Sequence, residues 1–226
     1  MIISKIVSGT RLYWKIKNNF KISADNFSIL KNYIPEDSVQ QVLHWVDNYR
    51  FSLKITKSRT TKLGDYRHPF KDKPHQITVN HNLNKFSFLI TLVHEVAHLA
   101  VWNKYRNNAD PHGKEWKEEF KIHLNPFLER GVFPEDILSI LYNYSINPKA
   151  SSCTDIDLVR VLKTYDCVSE YIHLEKINED SIFKLRNGRT FIKGKRIRKR
   201  YICIDISSKR KYLISPVAEV IQTSLF

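Results

Sequence analysis

Apolar residues recur along the first half of the chain with spacings that predict a mixture of helices and strands. Three valines spaced three and four residues apart predict the buried side of a helix over 35–49: Val39, Val42 and Val46. Alternating apolar residues predict a strand at 51–58, and a short strand is expected at 76–80. The intervening residues are rich in Lys, Arg and Pro and are expected to form a loop. A long helix is predicted at 86–102, where most residues are apolar.

The pattern changes from helices to strands in the second half. Aromatic and aliphatic residues four apart predict a helix that starts near Gly113 and ends at Pro126: Trp116, Phe120 and Leu124. Another helix is predicted from Pro134 to about residue 143. From Tyr171 onward the chain alternates, and Asn187-Gly188 is a strong hairpin signal. The order of elements predicts an α+β protein whose C-terminal part is made of antiparallel strands.

Composition narrows the class of protein. With 226 residues, of which 42% are hydrophobic, the chain can bury a core of its own. The N-terminus lacks an apolar segment followed by a small-residue cleavage site, so we expect a cytoplasmic protein without a signal peptide or membrane partner, with association to the nucleoid as a further expectation. Three cysteines lie far apart without a CxxC pair, which predicts neither a disulfide framework nor a zinc finger: Cys153, Cys167 and Cys203.

Positive charge is concentrated in the tail. The net charge is +14, and +11 of it lies between Lys184 and Lys211, where twelve Lys and Arg residues are opposed only by Asp205. Such a run can be a solvated surface. The alternative is a basic β-ribbon that binds DNA phosphates. In that case we expect nucleic-acid contacts from six residues: Lys193, Lys195, Arg196, Arg198, Lys199 and Arg200.

The long apolar helix contains the candidate chemistry in the sequence "HEVAH" at 94–98. At about 100° per residue, its polar side chains share one stripe roughly 100° wide: Ser87, Thr91, His94, Glu95 and His98. Burying these groups costs several kcal/mol unless something compensates them, and a cation would do so. Histidines four residues apart on a helix suit two ligands of one zinc ion, with the glutamate free to act as a general base.

A third ligand would distinguish a metal site from histidines that are simply buried and hydrogen-bonded. Glutamates on the next helix are candidates: Glu115, Glu118 and Glu119. His112 is the better candidate, because it follows the helix-breaking pair Asp110-Pro111 and precedes Gly113, which allows the chain to turn back.

The stretch "HEVAHLAVWNKYRNNADPHGKEWK" resembles the SprT-like zinc metalloprotease family, which is related to Spartan. The family pattern of HExxH, a spacer of about a dozen residues, His-Gly and an aromatic residue is matched by six residues: His94, Glu95, His98, His112, Gly113 and Trp116. Two upstream stretches, "RTTKLGDYR" and "HQITVNHNLN", are also similar to the family. The resemblance covers roughly residues 33–145. It implies one Zn²⁺ per chain bound by three histidines, with Glu95 as the general base of a peptidase.

The resemblance also implies a domain arrangement. We expect an N-terminal extension at 1–32, a minimal zincin-like metalloprotease domain at 33–148 with the HExxH helix packed on a small sheet, and a small basic β-ribbon domain at 149–226. Members of the family often carry a zinc ribbon with two cysteine pairs, whereas only one cysteine of each pair is present here. The chain is therefore expected to be a bacterial-type member with a degenerate ribbon that has lost its zinc, with Cys167 and Cys203 buried.

Two functions from different classes follow from these features. The first is a zinc endopeptidase that cleaves DNA-associated or DNA-crosslinked proteins, with Glu95 accepting a proton from zinc-bound water. The second is a nucleic-acid-binding protein whose zinc site is structural or idle. Glu95 distinguishes the two, because a structural site closes its fourth position with a protein ligand.

Overall fold

The computed structural model of the chain describes residues 3–7, 12–16, 24–59, 61–149, 155–167 and 170–223, with side chains from Asp25 onward. The chain divides into two compact units, Met1–Tyr165 and Asp166–Phe226, which we call unit 1 and unit 2. Helices and two sheets make up an α+β arrangement, as the sequence predicts.

Unit 1 contains a five-stranded sheet in the order β1-β2-β3-β5-β4. Its strands are β1 (Ile3–Val7), β2 (Leu12–Ile16), β3 (Ser52–Thr56), β4 (Gly64–Arg67) and β5 (Gln76–Asn80). Strands β3 and β5 are parallel, and the other pairs are antiparallel. Strand β4, which lies in the segment predicted as a loop, is an edge strand. Strand β2 pairs with β3, so part of the predicted N-terminal extension belongs to this sheet.

The described residues of unit 1 also form six α-helices. They are α1 (Ala24–Leu30), α2 (Val39–Tyr49), α3 (Lys85–Tyr105), α4 (Lys114–Glu129), α5 (Glu135–Ile146) and α6 (Ile156–Lys163), with a 3₁₀ turn at Glu36–Ser38 before α2. Leu158 and Leu162 of α6 are buried in the core of unit 1. For this reason the division between the units falls after Tyr165 and not at the predicted boundary of 148.

Helix α3 is the central element of unit 1. The Asn84 side chain caps its N-terminus by accepting a hydrogen bond from the Ser87 N–H at 2.9 Å. Among the described helices only α3 is long and apolar enough to cross a membrane, but 67% of its most apolar stretch is buried. It is therefore a buried core helix of unit 1, and most of its apolar side chains are not exposed.

The predicted end of the next helix at Pro126 is wrong, because α4 continues to Glu129 with Pro126 inside its last turn. Proline there removes one helical hydrogen bond and normally ends or kinks a helix. Phe127 is fully buried, and its ring lies edge-on to Trp45 at 5.3 Å between centroids. Burial of this last turn offsets the lost hydrogen bond.

Unit 2 is a six-stranded antiparallel sheet in the order β10-β9-β8-β7-β11-β6. Its strands are β6 (Ile172–His173), β7 (Ile182–Leu185), β8 (Thr190–Ile197), β9 (Arg200–Asp205), β10 (Lys211–Ile214) and β11 (Glu219–Thr223). Gly188 has φ 86° in the turn between β7 and β8, which confirms the predicted hairpin. A small core of its own holds the unit together: Leu174, Ile177, Phe183, Phe191, Cys203 and Val220.

Candidate metal centre

Helix α3 fixes three of the predicted site residues. His94 and His98 lie one turn apart on its polar stripe, and Glu95 lies beside them. The neighbouring residues Val93, Val96 and Ala97 are fully buried, so packing on the apolar sides of the helix sets its rotation. The polar stripe is thereby held in a single orientation.

His112 reaches the same place from the loop before α4. The Gly113 N–H donates to the Asp110 carbonyl at 2.9 Å, which closes a tight turn around Pro111 and His112. His112 itself has φ 57°, a left-handed conformation that costs a non-glycine residue on the order of 1 kcal/mol. This turn is what brings the ring next to α3.

The three imidazoles meet through their Nε2 atoms. The distance is 3.2 Å between His94 and His98, 3.0 Å between His98 and His112, and 3.1 Å between His112 and His94. In a tetrahedral site with metal–nitrogen bonds of about 2.1 Å, ligand atoms lie about 3.4 Å apart. The observed spacing therefore fits three ligands of one metal ion. Among the described residues this is the one group of three potential ligands close enough to hold one.

Trp116 of α4 packs against all three imidazole rings. Its ring centroid lies 4.6 Å from that of His94, 5.6 Å from that of His98 and 4.8 Å from that of His112. Trp116 is fully buried, and its indole N–H donates to the His94 carbonyl at 3.3 Å. The indole thus packs against every imidazole and restricts how each can rotate.

Burial keeps the imidazoles in the form that binds metals. It lowers the pKa of His94 to about 3 and that of His98 to about 4, and neighbouring imidazoles contribute to both shifts. Burial also lowers the pKa of His112. All three rings are therefore neutral at pH 7, which leaves a nitrogen lone pair on each available to a cation.

Glu95 lies next to the triangle with its carboxyl group packed under β4. A Cβ atom added to Gly64 would lie 2.8 Å from the Glu95 Cγ and 2.8 Å from the Thr91 methyl group, so only glycine fits at this point of β4. The backbone of Tyr66, in the same strand, favours the carboxylate form of Glu95. These contacts bring the edge strand against Glu95.

The charge state of Glu95 depends on its surroundings. Burial, with a smaller contribution from the Asp65 carboxylate, raises the pKa of Glu95 to about 8. A cation held by the neighbouring imidazoles would favour the carboxylate and lower this pKa. The pKa of Glu95 therefore depends on whether the neighbouring imidazoles hold a cation.

The other candidates for third ligand are placed elsewhere. Glu119 is buried and pairs with Lys104 at 2.5 Å, and Glu118 is exposed beside Lys114 at 4.0 Å. Neither these carboxylates nor Glu115 belongs to the group of potential ligands found among the described residues.

Residue patterns alone did not indicate Gly64 or β4 as part of the site. The residues of β4, "GDYR", lack apolar alternation, and Asp65 pairs with Lys62 at 2.6 Å and Arg67 at 2.9 Å. The similarity of "RTTKLGDYR" to the family was the only signal at this point of the chain.

The six predicted nucleic-acid contacts do not share one environment. The prediction is wrong for Lys193, because its side chain is buried, with Nζ donating to the Ile177 carbonyl at 2.6 Å and lying 4.1 Å from the centre of the Tyr201 ring. Burial also lowers the pKa of Lys193. The other five are exposed at the end of the β8–β9 hairpin: Lys195, Arg196, Arg198, Lys199 and Arg200.

The two cysteines of the predicted ribbon also differ. Cys203 is buried in the core of unit 2, as expected, and burial raises the pKa of its thiol. The prediction for Cys167 is wrong, because that residue is exposed. It lies in the segment before the first strand of unit 2.

Comparison with known proteins agrees with the motif. The family model described as SprT-like matches residues 36–123, a range that includes the three histidines, Glu95, Gly64 and Trp116. No curated protein and no solved structure matches the chain. Residues 36–123, which carry the whole candidate metal centre, are therefore similar to the SprT-like family.

Proposed function

We propose that the protein is a zinc-dependent endopeptidase that acts on DNA-associated proteins. The observation that carries this proposal is the convergence of three neutral imidazoles, with Nε2 atoms 3.0 to 3.2 Å apart, beside a buried carboxyl group that is not part of the triangle. Imidazole donors in a tetrahedral arrangement suit zinc.

Three protein ligands and a free glutamate are the arrangement of a catalytic site. A structural zinc site uses four protein ligands, whereas a catalytic one keeps a position open. A zinc ion bound by His94, His98 and His112 would supply a Lewis acid that polarises the scissile carbonyl and acidifies water at the open position. The alternative, a structural or idle site in a nucleic-acid-binding protein, leaves the buried Glu95 without a role.

Glu95 is placed to move the protons. As a carboxylate it accepts a proton from the attacking water, and as a carboxylic acid it can donate that proton to the leaving amine nitrogen. The Tyr66 backbone favours its carboxylate form, and the space left by Gly64 allows the carboxyl group to lie against β4. Both contacts orient the carboxyl group before a substrate arrives.

Strand β4 supports binding of an extended polypeptide. It forms the edge of the unit 1 sheet and lies directly against Glu95. An edge strand has unpaired main-chain groups to which an extended peptide can add by β-augmentation. A substrate bound in this way would present its backbone, and not a particular side chain, to the general base.

Unit 2 supports recruitment to DNA. The exposed cations lie at and beside the two-residue turn Arg198-Lys199, which joins the paired residues Ile197 and Arg200. Contacts to phosphates through such a hairpin would be largely independent of sequence. We propose this surface as the means by which the peptidase reaches proteins on DNA.

The test is cleavage of a DNA-binding protein by the zinc-loaded full chain, with and without DNA. We expect cleavage that DNA accelerates. The control is Glu95→Gln, which should keep zinc and cleave about 10² to 10⁴-fold more slowly, because it cannot accept the proton. If Glu95→Gln cleaves at the wild-type rate, the mechanism is contradicted. If the rate of cleavage is the same with and without DNA, only the recruitment to DNA is contradicted.

A further inference from the structure

A continuous series of contacts leads from Glu95 to an exposed arginine at the end of α3. Tyr66, two residues after Gly64 in the strand that packs against Glu95, places its hydroxyl 2.8 Å from His75 Nδ1. The His75 ring lies edge-on to Trp102 with centroids 5.1 Å apart. The Arg106 guanidinium lies over the Trp102 ring at 4.1 Å. Each residue touches the next, so the guanidinium has a fixed relation to the general base.

Trp102 is also close to the metal ligands. It follows His98 by four residues on α3, which places it on the same face about 6 Å further along the axis. The His68 ring packs parallel to the indole, at 5.6 Å between centroids and an angle of 1°. Because His68 and Arg106 both pack against it, the indole is a rigid support and a poor stacking surface for an incoming base.

Arg106 is the exposed member of this cluster, and its backbone is unfavourable for an arginine. It ends α3 with φ 57° and ψ −122°, where glycine is the ordinary residue. Such conformations cost on the order of 1 to 3 kcal/mol and are concentrated at functional sites. In the described part of the chain no carboxylate pairs with Arg106, whereas Arg67 and Lys104 each have an acidic partner.

An exposed guanidinium stacked on Trp102, whose ring also contacts His68 just after β4 and His75 just before β5, has a specific chemical use. It carries a permanent charge and presents donors that match both oxygens of a carboxylate. We propose that Arg106, supported by Trp102, forms a specificity subsite that binds an Asp or Glu side chain of the substrate at a fixed position relative to the cleaved bond. The subsite rests on the proposed peptidase function, because it names the side chain that this function selects.

The first experiment maps cleavage sites. The zinc-loaded full chain is incubated with a mixture of unfolded proteins, and the products are sequenced by mass spectrometry. We expect Asp and Glu to be enriched about tenfold at one position relative to the cut, in line with a charge-assisted hydrogen bond. Arg106→Glu should abolish that enrichment and favour Lys or Arg at the same position. The matched control is Lys73→Glu, an equal change of charge on the exposed turn of the neighbouring hairpin, which should leave the profile unchanged.

The second experiment measures binding without cleavage. The zinc-loaded Glu95→Gln chain is titrated with labelled 12-residue peptides in which a single Asp moves through a Gly/Ser background, each paired with its Asn counterpart. We expect one register in which Asp binds about tenfold tighter than Asn, and loss of this difference in Arg106→Glu. A structural role for Arg106 would weaken the Asp and Asn peptides equally.

The outcomes separate the two proposals. If the wild-type chain shows no cleavage, yet one peptide register binds Asp more tightly than Asn, the peptidase function is wrong and the subsite stands. The chain could also cleave proteins without a preference for Asp or Glu that Arg106→Glu changes, with the Asp and Asn peptides binding equally well. In that case the subsite is overturned and the peptidase function stands. If Arg106→Glu instead weakens binding of a single-stranded oligonucleotide and leaves the peptide series unchanged, the ligand is a DNA phosphate and the carboxylate subsite is wrong.

Discussion

The candidate metal centre of unit 1 and the basic hairpin of unit 2 were both predicted from side-chain chemistry, but the two groups of side chains are arranged very differently in the structure. Three histidines from a helix and a loop bring their Nε2 atoms to within 3.2 Å of one another and pack against a buried tryptophan. The six cations of the hairpin do not converge, and one of them points into the core. A site made of partly buried groups is fixed by packing, whereas a count of exposed charges does not fix where each charge lies.

Lys193 shows why the charge count misleads. Strand register pairs Lys193 with Cys203, and Cys203 is buried in the core of unit 2, so the two side chains share the inner face. Only after the register shift between Lys193 and Arg196 do the cations of β8 become exposed. The strand pattern, and not the composition, decides which basic residues can meet a polyanion.

The largest effect is expected from His112→Ala, which removes the ligand contributed by the loop. Zinc affinity should fall by more than about 100-fold, because changes around a metal ligand alone typically cost about 10 to 100-fold. The measurement is competition with a chelator. The matched control is His123→Ala, which removes another buried imidazole of unit 1 that bonds Tyr49 at 2.8 Å. It should lower stability but leave zinc affinity unchanged. Full zinc occupancy in His112→Ala would mean that another residue is the third ligand.

Gly64→Ala tests whether β4 positions the general base. The added methyl group would contact the Glu95 Cγ and the Thr91 methyl at 2.8 Å, so the carboxyl group must move. A displacement on the order of 1 Å can cost about 10²-fold in rate. We expect turnover to fall by about that factor at unchanged zinc content. Wild-type turnover would show that the orientation of Glu95 by β4 is unimportant.

The proposed binding of DNA by the hairpin is tested by comparing substitutions of its exposed cations with a substitution of its buried one. Changing Arg196, Arg198, Lys199 and Arg200 together to Ser should weaken DNA binding and reduce the log-log salt slope by up to about 3 to 4 units on duplex DNA, with zinc retained. Lys193→Met should destabilise unit 2, because the Ile177 carbonyl loses its buried donor, and should keep the salt slope. If the fourfold variant keeps the wild-type slope, the hairpin is only a solvated surface.

A smaller, pH-dependent effect is expected from Asp205 in unit 2. The Ser208 N–H, the Ser207 hydroxyl and Arg189 hold the pKa of Asp205 well below its usual range. Stability from these contacts is present above the unfolded pKa of about 3.9 and is lost as pH falls through the folded value. Asp205→Asn should therefore lower the Tm of unit 2 at pH 7, and the difference from wild type should shrink below about pH 4. A difference that stays constant down to pH 2 would contradict this assignment.

The sequence predicts elements well where burial imposes a period. Helix α3 and strand β5 follow from apolar patterns, and the polar stripe of α3 already singled out His94, Glu95 and His98. Strand β4 could not be predicted in this way, because it is a short edge strand of polar residues whose pairing depends on β5. The continuation of α4 past Pro126 depends on the pocket that receives Phe127, which a local rule does not see. No sequence pattern indicated a role for Arg106, because the position of its side chain depends on the backbone turn that ends α3.

The central claim is that three imidazoles hold one zinc ion with a position left open. X-ray absorption at the zinc edge on the full chain, together with elemental analysis, tests it most directly. We predict one zinc per chain, with three nitrogen neighbours at about 2.0 to 2.1 Å, one further oxygen and no sulfur. Two zinc ions per chain would show a second metal site, and sulfur at about 2.3 Å would show that a cysteine is a ligand; either result would contradict the account.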